Sequence, residues 1–268
     1  MTLPISPEIL DFYAEGREDE RLPSRPSLEL IRTRLLLERY LPPAPARVLD
    51  VGGGSGVHAS WLASRGYDVH LVDPAPLHVE QAAARGGFRV SLGDARELAA
   101  TDSSYDIVLL LGPLYHLVDR DDRLRALREA HRVTRSGGVV IAVAISRYAS
   151  TYDGYFRDFV DEPGFPETML ADLATGQHRN PRRNSERFTT AYFHDCDGFH
   201  GEIVEAGLGI DALVPIEGVL HWAPGMRDRL ADPAQLSVVL AVLAAMETDP
   251  STTGATAHML ASCRVVKV

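Results

Sequence analysis

Residues 47–58 read Arg47-Val48-Leu49-Asp50-Val51-Gly52-Gly53-Gly54-Ser55-Gly56-Val57-His58. Residues 48–51 have the look of a short buried strand that ends in an acid. The chain then passes through a glycine-rich turn into a helix beginning near Val57. Glycine tolerates positive φ and lets backbone approach a ligand closely, so four glycines in five positions suit a tight bend beneath a bound molecule. The first amides of the following helix point at the same place. The stretch is a cradle of the nucleotide-binding kind.

The spacing narrows the choice of ligand. A dinucleotide fingerprint places G-x-G-x-x-G directly after the strand. Counted from Gly52 and Gly54 the third position is Val57, and the pattern fails. Counted from Gly54 and Gly56 it reaches Ala59 only in relaxed form, two residues late. The pattern that fits is Asp50-x-Gly52-x-Gly54-x-Gly56. This motif after a first strand resembles the cofactor-binding motif of class I S-adenosylmethionine-dependent methyltransferases of the bacterial small-molecule type. The resemblance is specific over residues 30–145 and looser over 195–268.

Length and charge set outer limits. A chain of 268 residues with 45% hydrophobic content can bury a full core, and a single domain is expected. Its formal charge of −10 argues against nucleic acid as the main partner, because phosphate binding calls for a basic face. No apolar run reaches the roughly 20 residues of a membrane span, and residues 1–7 lack a signal peptide's basic start and apolar centre. The expected location is cytoplasmic, with a small-molecule substrate and either a monomer or a homodimer. Cys196 and Cys263 are too few for a metal motif or a disulfide framework, so no metal is expected.

Outward from the cradle, the chain alternates strand and helix. Leu28, Ile31, Leu35, Leu36 and Leu37 recur at helical spacing before Pro42-Pro43. Residues 68–73 form a second strand ending in Asp73, about 20 residues past the glycines. An acid there accepts hydrogen bonds from a ribose diol in doubly wound folds, or caps the helix expected over 74–85, with Pro74 in its first turn. Residues 88–92 are a third strand followed by Gly93-Asp94-Ala95. The resemblance implies that Asp94 accepts from the adenine amino group and Ala95 touches the ring edge; Asp94 as a helix cap is the alternative. Residues 105–111 are a continuous apolar run, as in a parallel sheet covered on both faces. They open at Leu111 and Gly112 into Pro113-Leu114-Tyr115-His116, at the sheet edge where ligands sit. An amphipathic helix over 121–133 leads through Ser136-Gly137-Gly138 to a fifth strand over 139–145.

The alternation then stops. Residues 147–193 show no clear strand and carry Arg179, Arg182, Arg183 and Arg187, which either hold an anionic substrate group or form a solvated basic loop. An excursion of this length is more often a binding segment than a plain connection. A helix over 197–206, a sixth strand over 210–216, a helix within 220–246 and a terminal strand over 258–266 follow. The expected fold is α/β: a seven-stranded, doubly wound, mostly parallel sheet with an antiparallel last strand and helices on both faces. The expected subdivision is an N-terminal helical lid over 1–26, a cofactor-binding core over 27–145, a substrate insert after strand 5 over 146–195, and the rest of the core over 196–268.

The resemblance implies S-adenosylmethionine as cofactor and S-adenosylhomocysteine as product. Asp50, Gly52, Gly53, Gly54, Gly56, Asp73, Pro74, Asp94, Ala95, Leu111 and Gly112 would line its site, with Tyr13 reaching it from the lid. Methyl transfer from a sulfonium needs alignment more than acid catalysis. A hydroxyl or carbon acceptor also gains from a base. The candidates are His116, with Tyr115 beside it, and then His194. Two other readings stay open: a nicotinamide oxidoreductase, and a nucleotide-binding regulator without turnover.

Overall fold

A computed structural model describes residues 27–180 and 188–267. Tyr13 and the expected lid over 1–26 lie outside the described residues, as do Arg182, Arg183 and Arg187. The first described helix, α1 (Leu28–Tyr40), starts where the Ser27 side chain accepts the Leu30 N–H. It leads into β1 (Arg47–Val51), α2 (Val57–Ser64), β2 (Asp68–Asp73), α3 (Pro76–Arg85), β3 (Arg89–Leu92) and β4 (Tyr105–Leu110). A single helical turn, α4 (Pro113–His116), precedes α5 (Arg120–Val133) and β5 (Thr134–Ile145).

The main sheet has seven strands in the order β3-β2-β1-β4-β5-β9-β8, where β8 is Gly209–Pro215 and β9 is His258–Arg264. Strands β1 to β5 are parallel, and β9 runs antiparallel between β5 and β8. Alternation along each strand divides the core in two. Ile107, Leu109, Val139, Ile141 and Val143 face Leu36, Leu37, Ala59, Leu62 and Ala82 of α1 to α3. Their neighbours Val108, Leu110, Val140, Ala142 and Ala144 face α5 and α8 (Cys196–Glu205), where Leu127, Ala130, Phe199 and Ile203 are buried. Helices thus cover both faces, as the continuous apolar runs required. Strand order reverses between β1 and β4, so the loops after Val51 and Leu110 open a crevice at one edge.

Four local expectations are corrected. Helix α3 starts at Pro76, not Pro74. Residues 136–138 are a bulge inside β5: pairing moves from Tyr105↔Thr134 to Ile107↔Val139, so β5 advances five residues while β4 advances two. Gly137 takes up the slack with φ 77°. The insert contains α6 (Ala149–Phe156), α7 (Phe165–Thr175) and a two-residue antiparallel ladder between β6 (Gln177–His178) and β7 (Ala191–Tyr192). The segment 220–246 divides into a 3-10 turn (Gly218–Trp222), α9 (Met226–Ala231) and α10 (Pro233–Met246), because Gly225 at φ 69° and Pro233 interrupt it. Among the described residues no helix is long and apolar enough to cross a membrane.

Candidate active site

The glycines after β1 serve separate ends. Gly52, Gly54 and Gly56 all have left-handed φ, at 67°, 56° and 84°. A Cβ on Gly53 would meet the Asp50 carboxylate at 2.7 Å, and one on Gly56 would meet the Phe88 ring at 2.7 Å. A Cβ on Gly54 would meet nothing within 4 Å, so the open side of the loop lies there. The Gly52 N–H donates to the Val72 carbonyl at 2.7 Å, and the Gly54 N–H donates to Asp73 Oδ2 at 2.9 Å. Strand β2 therefore holds the loop in shape. The Gly112 position abuts the Gly52 carbonyl and Pro113 packs on Gly52, so the two loops of the crevice touch.

Beneath the loop lies Asp50, 1% exposed, with neither carboxylate oxygen hydrogen-bonded. Burial, together with the neighbouring Asp73 charge, pushes its carboxyl up to about 7. An acid left unpaired in the interior is costly, and here it lies directly under a backbone loop stripped of side chains. This arrangement fits a ligand that brings a positive charge.

Asp73 stands at the end of β2 and ties the glycine loop to the entry of α3, whose N-cap is Ala75 and not Asp73. Its Oδ1 accepts the Ala75 N–H at 2.9 Å and lies 3.0 Å from His78 Nδ1, while Oδ2 holds Gly54. An ionised carboxylate offers about four acceptor positions, so one remains for a ribose hydroxyl. Pro74 is half-buried beside it. His78 was not singled out in the sequence; its position five residues past Asp73, in the first turns of α3, was the available signal.

Asp94 is neither a free acceptor nor a helix cap. Its oxygens take the Arg96 side chain at 2.6 and 3.0 Å and the Arg96 N–H at 2.8 Å, and Arg96 reaches on to Asp122 of α5 at 2.7 Å. Burial raises the Asp94 carboxyl, but the Arg96 bonds outweigh it and hold it below the usual range. Ala95 is buried in the α5-side core, and Leu111 packs against the other.

On the far side of the crevice α4 presents Tyr115 and His116. The two rings meet edge-on at 4.7 Å, and Phe188 stacks on His116 with centroids 5.6 Å apart. Tyr115 and Phe188 also border a small cluster of Ile145, Ala149, Ala191 and Phe193, which seats the insert on α4. Burial pushes the His116 imidazole down to about 3, with Asp73 opposing and His78 assisting. It is neutral at pH 7: a hydrogen-bond acceptor and a weak base.

His194, the second candidate base, sits in a buried network with Glu202 and Arg123. It is 1% exposed, and its Nε2 lies 3.2 Å from Glu202 Oε2. Arg123 grips Glu202 through two bonds of 2.9 and 2.7 Å and stacks 3.6 Å from the Tyr192 ring. This network ties the insert to α5 and α8.

Comparison with known proteins agrees with this geometry. Residues 48–138 match a family model described as a methyltransferase domain. An uncharacterized methyltransferase of Mycobacterium tuberculosis is 41% identical over 103 residues, 38% of this chain and 41% of that protein. A ubiquinone biosynthesis O-methyltransferase of Azorhizobium caulinodans is 32% identical over 113 residues, covering 40% and 43%. The chain thus spans about two-fifths of the length of these curated relatives. A crystal structure of a SAM-dependent methyltransferase from Methanosarcina mazei superposes with a TM-score of 0.59 at 18% identity, covering 87% of this chain and 98% of that one.

Proposed function

We propose that this chain, whose core is a class I, Rossmann-like methyltransferase domain, is a S-adenosylmethionine-dependent methyltransferase acting on a small molecule. The observation that carries the reading is the unpartnered, buried Asp50 carboxylate beneath Gly53, with the open face of Gly54 above it. The residues fit the cofactor: the backbone of Gly52 to Gly54 and Asp50 would hold its amino-acid end, and Asp73 its ribose. Asp94 has its acceptor positions largely taken by Arg96, so Arg96 with Asp94 would shape the adenine end as a pair. When bound, S-adenosylmethionine supplies a methyl group on a positively charged sulfur.

The chain's own part is placement. The crevice between the β1 and β4 loops orients the acceptor for in-line attack, and most of the rate comes from that alignment and from exclusion of water. Tyr115, His116 and Phe188 form an aromatic wall on the acceptor side. Neutral His116 accepts a hydrogen bond from the nucleophile and orients it; with a value of about 3 it takes up a proton only as the transfer itself acidifies the nucleophile. An amine that arrives unprotonated, or a hydroxyl, suits such a site. The acidic net charge favours a small acceptor over a nucleic acid.

Thermal shift with S-adenosylhomocysteine and, separately, NADH tests the reading. A ligand at about 100 times its dissociation constant adds about 2.7 kcal/mol. Stabilisation by S-adenosylhomocysteine alone is expected; stabilisation by NADH alone would overturn the methyltransferase reading in favour of a nicotinamide-binding protein.

A further inference from the structure

The insert buries a carboxylate–histidine pair of its own. His178 of β6 is 4% exposed and Asp172 of α7 is 0% exposed. His178 Nδ1 lies 2.8 Å from Asp172 Oδ2, and the Ser150 hydroxyl of α6 donates to the same oxygen at 2.5 Å. A carboxylate only accepts, so Nδ1 carries the proton, and in the neutral imidazole Nε2 is left as an acceptor. The ring also stacks on Phe193, with centroids 4.7 Å apart and planes inclined by 12°. Tautomer and orientation are therefore set before any ligand arrives.

His178 Nε2 itself is buried without a hydrogen-bond partner. Buried polar atoms are nearly always paired, so an orphan on a side chain held this firmly calls for a reason. Thr151 Oγ1, Asp172 Oδ1 and His194 Nδ1 are buried and unpartnered on the same insert. The place of His178 supplies the reason. Phe193 belongs to the cluster with Ile145, Ala149 and Ala191 that Tyr115 and Phe188 border. The orphan nitrogen is thus on a ring stacked against the cluster that backs the aromatic wall. Strands β6 and β7 share only the pairs Gln177↔Tyr192 and His178↔Ala191, and a ladder so short opens at low cost.

We infer that His178 recognises the methyl acceptor, and that the acceptor is an aromatic ring carrying a hydroxyl. Nε2 accepts a hydrogen bond from that hydroxyl while the ring packs among the aromatic side chains of the wall. Asp172 is the positioning residue, since it fixes which nitrogen of His178 is free. The hydroxyl held here is a handle, separate from the nucleophilic atom beside His116. The inference rests on the methyl-transfer reading and names the class of its acceptor.

Phenol is the probe, and anisole, its methyl ether, is the control that keeps the ring and lacks the donor. The full chain, isotope-labelled at the histidine nitrogens and saturated with S-adenosylhomocysteine, is titrated with each and followed by NMR. Phenol is expected to bind saturably, to move the His178 Nε2 resonance and to bind about tenfold more tightly than anisole, the size of one hydrogen bond. His178→Phe keeps a ring against Phe193 and is expected to lose that preference, with S-adenosylhomocysteine affinity unchanged. Absence of saturable phenol binding, equal affinity for the two probes, an unmoved Nε2 resonance, or a preference that survives in His178→Phe would each overturn the inference. The wild-type resonance decides alone if the variant's melting temperature shows it unfolded. S-adenosylhomocysteine affinity, measured by calorimetry on the same wild-type sample, reports separately on the methyl-transfer reading.

Discussion

At the level of single residues, Asp50 and Asp73 divide the work of one strand edge. Asp73 is hydrogen-bonded to the loop and to its own following helix, whereas Asp50 is buried without partners. Asp73→Ala removes the acceptor that shapes Gly54. Each charge-assisted bond lost is worth about 1.5–3 kcal/mol, so S-adenosylhomocysteine affinity by calorimetry should fall roughly ten- to hundredfold; unchanged affinity would count against the ribose assignment. Asp50 gives a pH signature. Because its folded-state value is raised from 3.8 to about 7, its contribution to stability is complete below pH 3.8 and is lost as pH rises toward 7. A cationic ligand favours the ionised acid, so cofactor affinity should rise with pH up to about 7, and Asp50→Asn should flatten that profile. His116→Ala should lower turnover by about a hundredfold, at the low end for a positioned proton acceptor, while leaving cofactor affinity nearly intact; an unaltered turnover number would remove it from the mechanism.

At the level of elements, the insert is fastened by buried charge. His194, Glu202 and Arg123 join its last strand to α8 and α5. Burial raises the Glu202 carboxyl, but His194 and Arg123 outweigh that and hold it down at about 2. Glu202→Ala would strand the Arg123 guanidinium in the interior and should cost about 3–5 kcal/mol in urea unfolding. In the wild-type chain the Glu202 contribution is fully present above about pH 4.5 and is lost as pH falls toward 2. A mutant as stable as wild type would show that the network carries no load. None of this was legible in the sequence. Glu202 and Arg123 are 79 positions apart, and a pairing of that kind has no local pattern. Asp94 with Arg96 is different: the pair is two residues apart, and an acid followed by a basic residue was in plain view. The helices of the insert escaped notice because Gly154, Gly164 and Gly176 interrupt the apolar periodicity, although two of them sit at helix ends with φ of 83° and 72°.

For the whole molecule, the parallel half of the sheet was readable because its signals are local. Val48 to Val51 and Ile107 to Leu110 are short runs whose alternate residues face opposite cores, so a continuous apolar string is what a covered strand must show. The glycine spacing after Asp50 placed the crevice, and sheet order then brought the β4 loop beside it. The aromatic wall of Tyr115, His116 and Phe188 was less readable, since it is assembled from α4, the insert and the end of β5.

A crystal structure of the chain with S-adenosylhomocysteine is the most direct measurement. Density for the amino-acid end over Gly52 to Gly54, within hydrogen-bonding reach of the loop and with its ammonium toward Asp50, is the expected result. A vacant loop in the presence of saturating ligand, or a pyrophosphate seated there, would contradict it.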